Sequence, residues 1–364
     1  MKTIYRFIFA GGGTGGHLYP ALAVAQKVRQ LKPEAEILFV GTKNKIEAKV
    51  VPQSNFNFKT ILISGFSRKF NFNNLLFPFK LTAGLIQSLI INMNFKPRVA
   101  IGTGAYVSGP VIWAASVLGA KIILLEQNSY PGITNRLLEK KADEIHLTYE
   151  ESKKYFRYKE KLFVTGNPVR VELKLINKEE ALKRFSLQTT KKTLLVLGGS
   201  LGAKSINNAV AYAIDELVKN DIQILWQTGK LYFDEYKKYE RNEVRILPFI
   251  DDMQAAYSAC DLVLARAGAT TIAEVSFLGL PVIFVPSTNV AANHQILNAK
   301  VLVENNAALM IEDNNLQNEF LDKIIELINN EDKLNSLRSN IKKFSKPDAA
   351  DVIAERIIKL AEKF

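Results

Sequence analysis

Apolar, β-branched runs alternate with longer stretches of helical periodicity along the whole chain, the pattern of parallel sheets covered by helices on both faces. In the first half the runs predict strands near 3–10 (TIYRFIFA), 36–41 (EILFVG), 59–63, 98–102 (RVAIG), 121–125 (KIILL) and 162–165. In the second half they predict strands near 193–198, 222–227, 243–247, 261–264 and 282–285. Helices fall between them, among others over Pro20–Leu31, Ser205–Lys219 and Thr270–Leu278. Residues 99–120 carry no charge and are long enough to span a bilayer, but Gly102, Gly104, Gly109, Pro110 and Gly119 interrupt them. A strand, a loop and a helix account for that stretch better than a membrane span.

The two halves open alike. Ile8-Phe9-Ala10 runs into Gly11-Gly12-Gly13-Thr14-Gly15-Gly16-His17, and Leu195-Val196-Leu197 runs into Gly198-Gly199-Ser200-Leu201-Gly202-Ala203. A strand ending in a glycine-rich turn that opens a helix, met twice, predicts two Rossmann-like domains in tandem. Asn167-Pro168 marks the turn where they part. The expected division is residues 1–168, residues 169–345, and a C-terminal helix within 346–364 that could pack back on the first domain.

Charge separates the halves as well. Residues 1–168 hold 23 Lys and Arg against 10 Asp and Glu, whereas residues 169–364 are nearly neutral; residues 48–125 contain no acid at all. So one-sided a basic surface predicts an anionic partner. A single cysteine, Cys260, excludes an internal disulfide framework and fits a reducing compartment. The start, MKTIYRFIFAGGG, shows no apolar region leading to a small-residue cleavage site, so no signal peptide is expected.

Glycine turns suit phosphates because bare backbone N–H groups approach the oxygens closely and the following helix adds partial positive charge. Gly11–Gly16 is neither a P-loop nor a clean dinucleotide fingerprint. A third cluster, Gly102-Thr103-Gly104 through Gly109-Pro110, again follows a strand and could close on a second phosphate. His17 ends the first loop and is the strongest candidate for acid–base chemistry, either as a base or as a neutral group orienting a phosphate. Asp251-Asp252 resembles a metal pair, but an Asp just before a helical run reads better as an N-cap.

Eight ordered segments, GGGTGGHLYPALAVA, GTGAYVSGP, EQNSYPGITNR, TGNPVR, GGSLGAKSINN, FIDDM, RAGATTIAEVSFLGLP and HQILNA, span residues 11–299 and closely resemble the bacterial MurG enzymes. The resemblance implies an α/β fold of GT-B type, two Rossmann-like parallel-sheet domains facing across a cleft. It implies an inverting transfer of GlcNAc from UDP-GlcNAc to the 4-hydroxyl of undecaprenyl-pyrophosphoryl-MurNAc-pentapeptide, converting lipid I into lipid II for peptidoglycan. No cofactor and no metal in the chemistry are expected. By the same resemblance His17 is the candidate base, and Thr14, Gly15, Gly16 and Asn128 meet the donor from the first domain. Arg170 lies at the hinge near the nucleotide, Ser200 meets the diphosphate, and the Ile250 backbone pairs with the uracil edge. Ala269 opens the helix that seats the diphosphate, Glu274 binds the ribose hydroxyls, and Gln295 contacts the GlcNAc hydroxyls. The chain departs from relatives at His294, where a second glutamine is common.

Three other functions fit parts of this pattern: a UDP-GlcNAc 2-epimerase, a non-catalytic sugar-nucleotide-binding membrane adaptor, and a transferase onto another lipid. Residues 64–98 favour a lipid-facing protein. They place phenylalanines at 66, 70, 72, 77 and 79 among Arg68, Lys69 and Lys80 with no acid, which predicts peripheral docking on an anionic membrane rather than binding to nucleic acid. The expected location is the cytoplasmic face of the bacterial inner membrane, among proteins of cell-wall synthesis.

Overall fold

A computed structural model describes residues 5–65, 77–170, 173–287 and 294–363. Phe66, Arg68, Lys69, Phe70 and Phe72 of the expected membrane segment lie outside the described residues. The chain divides into two compact units, Met1–Val171 with Lys346–Phe364, and Glu172–Ser345.

The first unit holds strands β1 (Arg6–Ala10), β2 (Glu36–Gly41), β3 (Asn57–Thr60), β4 (Val99–Gly102), β5 (Lys121–Glu126), β6 (Glu144–Leu147) and β7 (Leu162–Val164). They form one parallel sheet in the order β3-β2-β1-β4-β5-β6-β7. Its helices are α1 (Gly15–Leu31), α2 (Glu47–Gln53), α3 (Phe77–Phe95), α4 (Ala105–Val117) and α5 (Ile133–Leu138). The strands are buried on both faces, so they read as unbroken apolar runs. Phe7, Phe9, Phe39, Ile101 and Leu125 pack on one face against α1, and Ile8, Val40, Ala100, Ile122 and Leu124 on the other against α4.

The second unit holds β8 (Lys192–Leu197), β9 (Ile222–Gln227), β10 (Val244–Leu247), β11 (Leu262–Ala265), β12 (Val282–Phe284) and β13 (Leu309–Met310), parallel in the order β10-β9-β8-β11-β12-β13. Its helices are α6 (Lys178–Arg184), α7 (Lys204–Lys219), α8 (Phe233–Tyr236), α9 (Met253–Ala259), α10 (Ala269–Leu278), α11 (His294–Glu304), α12 (Leu316–Ile328) and α13 (Glu331–Lys342). The last helix, α14 (Ala349–Glu362), belongs to the first unit. Ile353, Ile357 and Leu360 join the α1 face of its core, and Arg356 forks onto Glu144 at 2.6 and 2.8 Å.

Several boundaries differ from the sequence reading. β6 and β13 are short strands without a distinctive apolar run, and β3 starts and ends before the expected 59–63. α1 begins five residues ahead of Pro20, because extended Thr14 caps it, its carbonyl accepting from His17 N and Leu18 N. Residues 99–117 are a strand, a turn and a helix, and among the described residues no helix is long and apolar enough to cross a membrane. Asp252 caps α9, accepting from Ala255 N at 3.0 Å, and pairs with Arg184 at 2.8 Å.

Candidate active site

In both sheets the strand order reverses beside the first strand of the unit, between β1 and β4 and between β8 and β11. Loops leaving the carboxyl ends of strands at such a point diverge and leave room for a ligand. Every candidate residue on a βα loop lies at a carboxyl end.

In the first unit the loop Gly11–Gly16 is held from beneath by a carboxylate. Glu47 is fully buried; its Oε2 accepts from Gly13 N at 2.8 Å, and its Oε1 accepts from Thr42 N at 3.0 Å and Thr42 Oγ1 at 2.6 Å. Burial first, and then the charge of Glu47, push the Tyr106 hydroxyl above its ordinary value, which keeps it a neutral donor. Thr14 is exposed, and Gly15, Gly16 and His17 are half-buried in the opening turn of α1. His17 Nδ1 lies 2.8 Å from the carbonyl of Thr103 and 3.0 Å from Oε1 of Gln127. Past β5, buried Glu126 organises the next loop: Oε1 accepts from Asn128 N at 2.9 Å, and Oε2 accepts from Gly132 N and Asn135 Nδ2, each at 2.9 Å. Asn128 therefore has a fixed backbone and a half-buried side chain. Arg170 lies with its guanidinium 4.0 Å from the ring centroid of Tyr19 on α1.

In the second unit Gln227, at the end of β9, ties two loops together. Its Nε2 donates to Gly199 O at 3.0 Å and its Oε1 accepts from Ile250 N at 2.8 Å. The Ile250 N–H is thus engaged within the protein, which leaves the carbonyl as the backbone group that can meet a base edge. Ser200 sits half-buried in the turn closed by Gly202 N donating to Gly199 O. Gly202 has φ +82°, and a Cβ there would fall 2.1 Å from the Thr228 carbonyl, so only glycine fits. Gly268 is the N-cap of α10 and supplies no side-chain cap to the first turn, Ala269–Thr271. One turn on, Glu274 is buried, not solvated as its position in a helix would allow, and accepts from Tyr257 Oη at 2.8 Å. Arg266 is committed to structure: it pairs with Asp313 at 2.7 Å and donates to Ser205 Oγ. Gln295 accepts from Ser287 N at 2.8 Å through Oε1.

Sequence reading missed Glu47, Glu126, Gln127 and Gln227 as site residues, and it took the Thr103 loop as a phosphate closure, not as the source of a carbonyl for His17. One signal was visible: Glu47 and Glu126 are the acids that bracket the acid-free stretch 48–125.

Two parallel sheets, each with a glycine loop after its first strand at the reversal of strand order, define the architecture of the GT-B type. The models of the glycosyltransferase family 28 N-terminal and C-terminal domains match residues 7–147 and 193–353. The chain is 46% identical over 361 residues, 98% of either chain, to the UDP-N-acetylglucosamine–N-acetylmuramyl-(pentapeptide) pyrophosphoryl-undecaprenol N-acetylglucosamine transferase of Flavobacterium psychrophilum. It is 45% identical to the enzyme of that name from Christiangramia forsetii, over 99% of each chain. Among solved structures it matches Acinetobacter baumannii MurG with a TM-score of 0.73 and 26% identity, covering 98% of this chain and 99% of that one. The chain belongs to the MurG family. A UDP-N-acetylglucosamine 2-epimerase also superposes, with a TM-score of 0.70, but at 12% identity that likeness shows the fold alone.

Proposed function

We propose that this protein transfers GlcNAc from UDP-GlcNAc to the 4-hydroxyl of undecaprenyl-pyrophosphoryl-MurNAc-pentapeptide, turning lipid I into lipid II. The observation that carries this reading is identity of 46% over nearly the full length to a transferase of that name. The epimerase alternative has only a shared fold in its favour.

Within that reaction the second unit takes the donor. The Ile250 carbonyl accepts from the uracil N3–H, Glu274 binds the ribose hydroxyls, and the Gln295 amide meets the sugar. The helix N-terminus at Ala269–Thr271 and the Ser200 hydroxyl receive the charge that grows on the diphosphate, donors fixed before the bond breaks. In the first unit Nε2 of His17 takes the proton of the acceptor hydroxyl as its oxygen attacks the anomeric carbon. The bond from that carbon to the diphosphate breaks, UDP leaves, and the configuration inverts. Thr14, Gly15, Gly16 and Asn128 line the same loops, and Arg170 is held near them by Tyr19.

The same reading places the protein peripherally on the cytoplasmic face of the inner membrane through α3. Phe79, Ile86, Ile90 and Met93 are 75%, 53%, 48% and 50% exposed. At 3.6 residues per turn they fall within an arc of about 60°. The opposite face, Gly84, Ser88, Ile91 and Asn92, is buried. An outward apolar stripe beside basic residues fits an anionic bilayer. Labelled UDP-GlcNAc with a lipid I analogue, and mass analysis of the product, tests the transfer. His17→Ala should lower turnover by about 10²–10⁴-fold with donor binding unchanged. Production of ManNAc without an acceptor would overturn the reading.

A further inference from the structure

The two groups that meet His17 Nδ1, the Thr103 carbonyl and Gln127 Oε1, belong to different strand ends, after β4 and after β5. A backbone carbonyl only accepts, so Nδ1 carries a hydrogen whether the ring is neutral or protonated. That fact also fixes the amide of Gln127. The atom it turns toward an N–H must be its oxygen, and its nitrogen then donates to Leu125 O at 3.3 Å. The reverse orientation would set oxygen against the Leu125 carbonyl and two donors against each other. Gln127 is 2% exposed, so no water replaces either bond. The ring is confined from a third side: at Gly104, with φ +89°, a Cβ would stand 3.0 Å from Nδ1 and 3.1 Å from Cε1. Nδ1 is therefore committed to the protein, and Nε2 is the ring nitrogen left with a lone pair.

We propose that Gln127 is a positioning residue of the transfer reaction: with the Thr103 carbonyl it locks His17 in the tautomer bearing hydrogen on Nδ1, so that Nε2 is a ready acceptor before the substrate arrives. The proposal rests on the reading of His17 as the base. The step balances simply. The acceptor O–H bond breaks and an Nε2–H bond forms, while the oxygen bonds to the anomeric carbon and the diphosphate leaves with the electron pair of the broken C–O bond. As the ring becomes imidazolium, its Nδ1–H is shared between two acceptors already in place, and both bonds strengthen by becoming charge-assisted. A solvated imidazole would have to choose its tautomer and turn its ring during the reaction. Here both choices are made by the fold.

Nitrogen-15 NMR of the full chain tests this directly, because only His17, His146 and His294 contribute ring signals and a His17→Ala spectrum identifies the first by difference. The wild-type spectrum should show a protonated Nδ1 and an unprotonated Nε2 for His17. In Gln127→Leu, Nδ1–H keeps the Thr103 carbonyl but loses its second acceptor, so the signals should shift part of the way from the single-tautomer values. Turnover should fall about 10–100-fold with KM for either substrate within twofold, since orientation and not binding is lost. Gln127→Glu, which keeps an oxygen facing Nδ1, should restore the single tautomer and most of the turnover. A protonated Nε2 in the neutral wild-type ring would overturn the proposal, and it needs no variant to fold. Wild-type turnover and a wild-type His17 spectrum in Gln127→Leu would overturn it equally. Normal turnover in His17→Ala would overturn the base reading instead, and would leave the tautomer assignment standing as a matter of structure alone.

Discussion

Replacing Glu47 tests whether the first glycine loop is held by a buried carboxylate. In Glu47→Gln the amide oxygen can stay on Thr42, accepting from N and Oγ1, but the NH2 then faces Gly13 N–H, donor against donor. One stranded donor costs about 1–3 kcal/mol. In a unit of about 190 residues each kcal/mol lowers Tm by about 2–4 °C, so a fall of about 4–8 °C is expected for the central value. Glu47→Ala strands all three donors, of which both on Thr42 are buried, and should cost about 3–5 kcal/mol. Activity should suffer beyond stability. Gly13 would be pushed away from the carboxylate, and a shift of about 1 Å in a catalytic loop costs about 100-fold in rate. Calorimetry of the full chain gives the first quantity and the coupled UDP-release assay, run well below Tm, gives the second. A Glu47→Gln protein with wild-type Tm and wild-type kcat would show that the loop stands without this contact.

Three further outcomes follow from other parts of the fold. Glu274→Ala should weaken UDP-GlcNAc binding by about 1–3 kcal/mol in titration calorimetry. Tyr257→Phe controls for the loss of their mutual bond, and unchanged donor affinity in Glu274→Ala removes that carboxylate from the ribose site. Phe79→Ser with Ile86→Ser should weaken co-sedimentation with phosphatidylglycerol vesicles by about 2–3 kcal/mol, about half the value of fully burying two such side chains. Binding that ignores both this change and salt would return α3 to a role inside an assembly. Burial alone would raise the pKa of Glu144, but the hydrogen bond from His146 and the fork from Arg356 outweigh it and hold the carboxyl at about 2. A depressed folded value means stability that is present above the ordinary 4.5 and is lost as pH falls from there toward 2. The first unit should lose about 2–3 kcal/mol over that interval, and Arg356→Met should remove most of the loss; an unaltered pH dependence in urea unfolding would refute the assignment.

The fold was legible wherever a strand is covered on both faces, because such strands are continuous apolar runs: β2, β5, β8 and β9 fall within a residue of their expected places, and β1 ends where expected though it begins three residues later. The short strands β6 and β13 were not. Strands of two to four residues need little apolar character, and tertiary pairing alone defines them. In the site, the residues on glycine loops announced themselves by spacing, since a loop that approaches a ligand must shed side chains. The polar groups that hold those loops gave no local signal. Glu47 lies 34 residues from Gly13, and Gln227 lies 23 from Ile250 and 28 from Gly199. Their neighbours in sequence are ordinary. Only the parallel sheet, which sets successive strand ends side by side, brings each to its loop. The exposed stripe on α3 is the intermediate case: its phenylalanines were visible in sequence, but Ile86, Ile90 and Met93 joined Phe79 only once the helix phase was known.

Two glycine loops that look alike in sequence are thus supported by opposite chemistry, and this bears on which one takes the diphosphate. Beneath the loop after β1 sits a carboxylate, Glu47, satisfied by backbone and hydroxyl donors. Beneath the loop after β8 sits a neutral amide, Gln227, that donates to Gly199 O. An anion placed over the first loop, about 6 Å from the Glu47 charge, would meet a repulsion of roughly 3 kcal/mol per unit charge at an effective dielectric constant near 20. Over the second loop no such term arises from the supporting group, and the N-terminal dipole of α10, whose N-cap Gly268 has no side chain, adds attraction. For the transfer proposed above, this favours the second unit as the seat of the donor diphosphate, which gains negative charge as its bond to the sugar breaks. The negative charge under the first loop suits the other half of the proposed reaction, in which His17 becomes a cation on accepting a proton. On that proposal the same sequence device, repeated in two sheets, serves an anion in one and a transient cation in the other, and the single buried side chain behind each loop makes the difference.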